Sequence, residues 1–430
     1  MRTPLYVSRP YGPHMARFEA ERINDFIVMS EGASNSYLIE TREGNILVNA
    51  GMGFEAPVHH RNYQQHASAD DSIRYLITTQ GHVDHVGGGA YFRERNPNLQ
   101  YIAHANNAEH QEYDARLSTF RASRSAFRFK DAFAETFANY AEHGYTDINP
   151  QDHPVADITF TERYEFSLGG LDVVLIGVMG AETNDSLIIW LPQHRICLTG
   201  NLFGCPFGHF PNLVTIRGDR YRDALVCANA AQTVLDLDAD MILYGHHAPI
   251  IGKDLIRTEL TAIRDAILYV HDETVRGMND GKSVHTLMQE ITVPATCQVG
   301  EGYGKVSWSV RAIWENYAGW FHHQSTTELY AVPQSHVYED LLELAGADAL
   351  IDRAQRYHDD GHLEHALHLL DIVLHASSTS DEHGVQRATD LAITIHRALL
   401  EQADNFWLNG WLEHQIKLLQ GRKTAPLSYP

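Results

Sequence analysis

The stretch His82-Val83-Asp84-His85 places two imidazoles and a carboxylate within a few positions of one another. Imidazole nitrogen and carboxylate oxygen are ligands for divalent ions such as zinc, and an ion so held polarises esters and acidifies water. The apolar run Tyr75-Leu76-Ile77 ahead of it reads as a buried strand, and Gly87-Gly88-Gly89 behind it frees the backbone to turn. The three side chains therefore share one loop at a strand end, close enough to hold one or two ions.

The rest of the chain must position that loop. Up to about residue 260, short β-branched and aliphatic runs alternate with helical stretches and glycine turns. Strands are expected over Asp25–Met29, Ser36–Glu40, Asn45–Val48, Arg74–Thr78, Val173–Ile176, Ser186–Leu191 and Met241–Tyr244. This alternation indicates a layered α/β domain. After Lys253, apolar residues recur at helical spacing over Leu255–Asp272, Val284–Glu290 and Val306–Phe321. From Tyr338 the pattern is almost wholly helical. Ala354, Tyr357, Gly361, Ala366 and Leu370 outline one tetratricopeptide-type helix pair. His358, His362, His365 and His368 beside it read as a polar helix face rather than a metal site.

Bulk properties set limits. With 430 residues the chain exceeds one ordinary domain, and its net charge of −22 argues against nucleic acid or an anionic membrane as partner. A small anionic substrate stays compatible, because local arginines set the field in a pocket. No apolar run is long enough to span a bilayer, and Met1–Tyr6 carries no apolar signal segment. The 4 cysteines lack CxxC spacing and read as reduced thiols of a cytoplasmic protein.

The strand, His-x-Asp-His and Gly-Gly order resembles the metallo-β-lactamase superfamily, which has a further histidine where this chain has Gln80. The resemblance implies ligands from two later loops. One is Gly180–Ser186, where Glu182 falls at a usual histidine. The other is Gly245-His246-His247-Ala248-Pro249, where His246 matches the last ligand. One metal position would then use His82, Glu182 and Gln80, and the other Asp84, His85 and His246, with Asp84 also at the catalytic centre. Glutamate at 182, Thr215-Ile216-Arg217-Gly218-Asp219, Tyr269–Thr274 and Tyr317–Phe321 are similar to the alkylsulfatase branch. That branch implies an αββα sandwich, here expected over residues 1–262, then an all-α domain over 263–430 through which homodimers form. The sterol-carrier-like C-terminal domain of its larger members is not recognised in the sequence.

By the same resemblance the chain is expected to hydrolyse an anionic ester, most simply an alkyl sulfate, with metal-bound hydroxide as nucleophile. Arg217 would grip the sulfate, since a planar guanidinium matches a tetrahedral oxyanion through paired hydrogen bonds. Arg121 and Arg124 are further candidates for that pocket. Phe203, Phe207 and Phe210 would line the apolar part of the substrate, and His209 or His247 would protonate the leaving group. Three departures stand out: Gln80, Gly200 where a metal-bridging carboxylate is expected, and Asn49 where a supporting aspartate is expected. An amide is a poorer zinc ligand than imidazole, and two ions without a bridge repel. The ion count is therefore one or two. The surviving two-histidine, one-carboxylate set also suits iron(II), so a non-haem iron oxygenase or lyase acting on a small organic acid is the alternative.

Overall fold

The computed structural model describes residues 4–8, 15–66, 72–376 and 382–422. Its strands are β1 (Ala20–Asn24), β2 (Ile27–Ser30), β3 (Ser36–Ile39), β4 (Asn45–Val48), β5 (Ile73–Ile77), β6 (Gln100–His104), β7 (Ile158–Phe160), β8 (Arg163–Leu168), β9 (Leu171–Gly177), β10 (Leu187–Leu191), β11 (Ile196–Gly200), β12 (Met241–Tyr244) and β13 (Ile250–Ile251). The helices of the first part are α1 (Ala56–Gln64), α2 (Val83–Val86), α3 (Gly89–Arg95), α4 (Asn107–Arg116), α5 (Ser118–Glu142), α6 (Ala224–Leu237), α7 (Lys253–Asn279), α8 (Val284–Glu290) and α9 (Val306–Ala318). They are followed by α10 (Tyr338–Ala345), α11 (Ala347–Asp359), α12 (Leu363–His375), α13 (Glu382–Gln402) and α14 (Phe406–Arg422).

Two mixed sheets stack face to face. The first runs β1-β2-β3-β4-β5-β6-β7 and the second β13-β12-β11-β10-β9-β8. Alternation along the strands builds the layers, because successive side chains point to opposite faces. Ile46 and Val48, with Leu187, Ile189, Ile196, Leu198 and Leu243, fill the seam between the sheets. Leu47, from the same strand, faces out onto Ala56 and Phe92 of α1 and α3. Ile188, Cys197 and Ile242 face out under α6 and α7. The αββα sandwich expected from the sequence is thus present.

The chain forms two compact units, Met1–Ser125 with Asp131–Gly319, and Ala126–Lys130 with Trp320–Pro430. The boundary expected at 262/263 is therefore corrected. It cuts through α7, a continuous helix whose Ile256, Leu260, Ile263, Ile267 and Val270 are buried in one core with α6 and the second sheet. In the second unit α11 and α12 form the expected helix pair, turning at Gly361 with φ +80°. α13 and α14 pack successively onto it around Ile351, Ala354, Ala366, Leu370, Leu391 and Ile395.

Candidate metal and anion site

The site lies where strand ends of both sheets meet. β10 and β11 are antiparallel, so the start of β10 and the end of β11 share an edge. There Leu187 N–H donates to Thr79 O at 2.9 Å, and Asn35 N–H to Gly245 O at 2.7 Å. Tyr37 Oη donates to Tyr244 O at 2.6 Å, so the sheets are stitched together at this edge. The loops carrying His82–His85, Glu182, Asn201 and His246 all emerge here.

The strand-end side of the site is braced and neutral. Asn49, in a left-handed conformation (φ 58°), accepts from Thr79 N–H at 2.9 Å and lies 3.2 Å from its hydroxyl. Thr79 Oγ1 and Ser34 Oγ lie 3.1 and 3.2 Å from His85 Nδ1. The Gln80 amide sits between two rings, 2.8 Å from His82 Nδ1 and 3.1 Å from His85 Nε2. Burial pushes the His85 and His246 imidazoles down to about 3, against opposing pulls from Asp185 and Asn201 on the first and Asp84 on the second. Asp84 Oδ2 is 3.5 Å from His85 Nε2, and burial raises its carboxyl while His246 opposes the shift.

Gly200 cannot be replaced by a carboxylate in this backbone. Its φ is +56°, and a Cβ there would lie 2.5 Å from Thr79 Oγ1. The next residue, Asn201, is the one buried beside His85, an amide where the expected bridge would be charged.

The other side of the site is dense in charge and was only partly visible in the sequence. His110 and Asp114, one helical turn apart on α4, approach His82, and the ligand atoms of these three lie within 4.8 Å of one another, the only such cluster among the described residues. Burial holds His82 neutral, well below its ordinary value, although Asp219 Oδ2 is 3.8 Å from its Nε2. Asp219 is itself buried, yet His82, Arg222 and Arg121 hold its carboxyl well below the usual range. Arg121 pairs with both Asp114 and Asp219. Arg222 pairs with Glu182 at 2.7 Å, and burial raises the glutamate to about 7. Glu182 is thus committed to an arginine rather than presented to His82 as a ligand.

Arg217 is the exception among these arginines. Neither Asp219 nor Asp223 takes it up, because Asp219 is bound by Arg121 and Asp223 caps α6 through Val226 N–H. Its Nε is buried without a hydrogen-bond partner. Burial works against its charge, but Tyr303, Asp219, Asp114 and Asp84 outweigh that, and its pKa is raised.

Three other expectations change. Arg124 is exposed and does not reach into the site. Its guanidinium donates to Ile216 O at 2.6 Å and Arg217 O at 3.0 Å, so it braces the segment that carries Arg217. Phe203, Phe207 and Phe210 are buried in the core under the second sheet, with Phe207 edge-on to Phe203 and Tyr244. They are packing residues, and Phe207 lines no open substrate channel. His209 accepts from Gly302 N–H at 2.9 Å and packs against Tyr6, which ties its ring to a neighbouring loop. His247 follows His246 in a left-handed turn (φ 61°) whose carbonyl accepts from Asn35 Nδ2. His110, Asp114, Asp219 and Arg222 were not singled out. Only the four-residue spacing of His110 and Asp114 on a helix could have pointed to a pair.

The donor set fits a divalent ion. His82 Nε2, His110 Nε2 and His246 Nδ1 are buried without hydrogen-bond partners, which costs stability unless something binds them. Carboxylates of Asp84, Asp114 and Asp219 lie among these rings. The sequence model of the metallo-beta-lactamase superfamily matches residues 29–246. The chain belongs to that superfamily. Its fold implies divalent metal binding. The alkyl sulfatase dimerisation model matches residues 285–420. Among curated relatives, a linear primary-alkylsulfatase from a Pseudomonas species is 26% identical over 72% of this chain and 60% of its own length. The alkyl/aryl-sulfatase BDS1 of Saccharomyces cerevisiae is 23% identical over 93% of this chain and 64% of its own. The chain therefore spans roughly three-fifths of the length of these two relatives. The stereoselective inverting sec-alkylsulfatase Pisa1 from Pseudomonas sp. superposes with a TM-score of 0.77 at 19% identity, covering 94% of this chain and 66% of that one. That likeness establishes the fold.

Proposed function

We propose that the chain is a metal-dependent sulfuric ester hydrolase whose substrates are alkyl sulfates. The observation that carries this reading is Arg217, a raised-pKa guanidinium with its Nε buried and unpartnered, set among the residues that fit a metal ion. An oxyanion bearing a sulfate's charge is the natural partner for such a group. The alkylsulfatase names of the curated relatives support the same substrate class.

Zinc is the ion we assign to the site, and once bound it would supply acidified water at neutral pH. The protein's own part is positional. Arg217 holds the sulfate and offsets charge on the departing group, while Arg124 fixes the backbone at Ile216 and Arg217. Arg222 is taken up by Glu182, which leaves Arg217 as the cation for that anion. The matching dimerisation model and the exposed Leu329, Tyr330, Val332, Val337 and Leu344 support a homodimer formed through the second unit. The four cysteines are buried thiols outside any disulfide, which accords with a reducing, cytoplasmic setting.

The test is inorganic sulfate release from octyl, decyl and dodecyl sulfate by zinc-loaded protein under argon. Turnover without oxygen is expected. A requirement for iron(II) and oxygen, with no sulfate released, would replace hydrolysis by the oxygenase alternative. No helix among the described residues is long and apolar enough to cross a membrane.

A further inference from the structure

We propose that Glu55 is a positioning residue of the metal site, setting through the buried turn 32–35 where His85 and the turn carrying His246 stand. The proposal rests on the metal-dependent part of the reading above and not on the choice of ester.

Glu55 is fully buried, yet no cation pairs with it among the described residues. Its two oxygens accept three backbone N–H groups instead. Oε1 takes Ala16 N–H at 2.8 Å and Ala33 N–H at 2.9 Å, and Oε2 takes Met52 N–H at 3.0 Å. Burial pushes the carboxyl up to about 7, those three donors oppose the rise, and Asp84 adds to it. An apolar side chain would cost less to bury, but it would leave three N–H groups without an acceptor. Glutamine would not serve either, because only a carboxylate accepts on both oxygens. The residue is therefore kept for the donors it gathers, and these lie on three separate segments.

Ala33 is the segment that leads to the metal site. Residues 32–35 join β2 to β3 as a buried, irregular turn, so their backbone groups need partners from outside it. Ala33 N–H finds Glu55. On the next residue, Ser34 Oγ lies 3.2 Å from His85 Nδ1. Asn35 then reaches across to the second sheet. Its N–H donates to Gly245 O at 2.7 Å, and its Nδ2 to Tyr244 O at 3.2 Å and His247 O at 2.8 Å, so it holds the chain on both sides of His246. The Ala33 backbone is also a hydrogen-bonding neighbour of the His246 ring. At its other oxygen, Glu55 closes the turn that follows β4. There Ala50 N–H donates to His85 O at 2.8 Å and Gly88 N–H to Gly51 O at 3.1 Å. One carboxylate thus ties together the two turns that brace His85, and one of them also braces the His246 turn. It does so without touching a ligand, as an outer hydrogen-bond partner does.

The deciding experiment starts without a variant. Hydrogen exchange on the metal-free full chain should find the Ala33 amide as protected as in the zinc-loaded chain, because Glu55 orders the turn before an ion arrives. Free exchange at Ala33 until zinc is added would overturn the proposal. Glu55→Gln then keeps the volume but turns an NH2 group toward Met52 N–H or toward the Ala16 and Ala33 pair. Zinc affinity, measured by competition with a chromogenic chelator, should fall about tenfold or more in folded Glu55→Gln protein. Cobalt(II) in place of zinc should show shifted visible bands in the same variant, since the ligand positions move. Unchanged affinity and bands, with the fold checked by circular dichroism, would sink the idea. Ser34→Ala should weaken zinc binding too, and the double variant should lose less than the product of the two single losses. Independent losses would show that Glu55 does not act through this turn. Failure of the unmodified chain to bind zinc would overturn the metal reading and this proposal together, whereas full affinity in Glu55→Gln overturns this proposal alone.

Discussion

The two sides of the site are built on different principles. At the strand ends, His85 is fixed by short-range partners: Ser34, Thr79, Gln80 and, through Thr79, Asn49. Those groups are uncharged, and the ring they hold is neutral. On the α4 side, His82 and His110 meet Asp114, Asp219 and Arg121, with Arg217 nearby, groups drawn from three segments far apart in sequence. The first side keeps its shape because strand ends are rigid and both nitrogens of His85 have a neighbour. The second keeps its shape only while its charges balance. Geometry is cheap to maintain where the backbone supplies it, and charge must hold the site where helices and long loops converge.

That contrast can be broken most directly at Arg121. Arg121→Met leaves two buried carboxylates without their shared partner and should destabilise the fold by ~3–5 kcal/mol, read from denaturant unfolding. Arg217→Ala removes the unpaired cation and should lower kcat/KM for alkyl sulfates about 100-fold or more, with a much smaller stability change. Arg217→Lys should recover part of that loss, because charge returns without the planar fork. On the strand-end side, Asn49→Ala removes the acceptor for Thr79 and should cost ~1–3 kcal/mol with little change in salt dependence. An equal salt response for Asn49 and Arg121 variants would remove the distinction.

A finer test uses pH. His59, buried on α1 beside Ser30, is pushed down to about 3 by burial, from an ordinary value of 6.5. Below pH 6.5 the unfolded chain takes up a proton that the folded chain refuses. Its contribution is therefore complete above that pH and lost as pH falls toward 3, at up to about 1.4 kcal/mol per pH unit. His59→Gln should flatten the acid limb of the stability profile by that amount. Arg124→Ala should give the smallest effect, a rate loss below about tenfold with stability within ~0.5 kcal/mol, because its exposed guanidinium only steadies the Arg217 backbone.

The layered fold was legible because its central strands are apolar runs with period-two alternation, and each expected strand lies on one found. Of the strands not expected, β1 (Ala20–Asn24) and β8 (Arg163–Leu168) are sheet-edge strands rich in charge, and β7 (Ile158–Phe160) and β13 (Ile250–Ile251) are only three and two residues long. The domain boundary was misjudged because α7 has the amphipathic pattern of a free-standing helix, while its partners lie in α6 and the second sheet. In the site, the metal loop was legible because its residues are consecutive. Asp114, Asp219 and Arg222 were not, since nothing in their local spacing shows that the chain brings them to His82 and Glu182. Phe207 misled for a related reason: an aromatic in a glycine-rich loop has the same sequence signature whether it closes a core or lines a channel.

Gly200 bears on how this chain can change over generations. Restoring a bridging carboxylate there by a single substitution would drive a Cβ into Thr79 Oγ1 at 2.5 Å and force a side chain into a positive-φ conformation. Thr79 would have to shrink first, and that step would loosen the brace on His85 before any benefit arrived. The shorter route to a carboxylate lies one position on, at Asn201, whose amide is already buried beside His85 and whose replacement by aspartate asks nothing of Thr79.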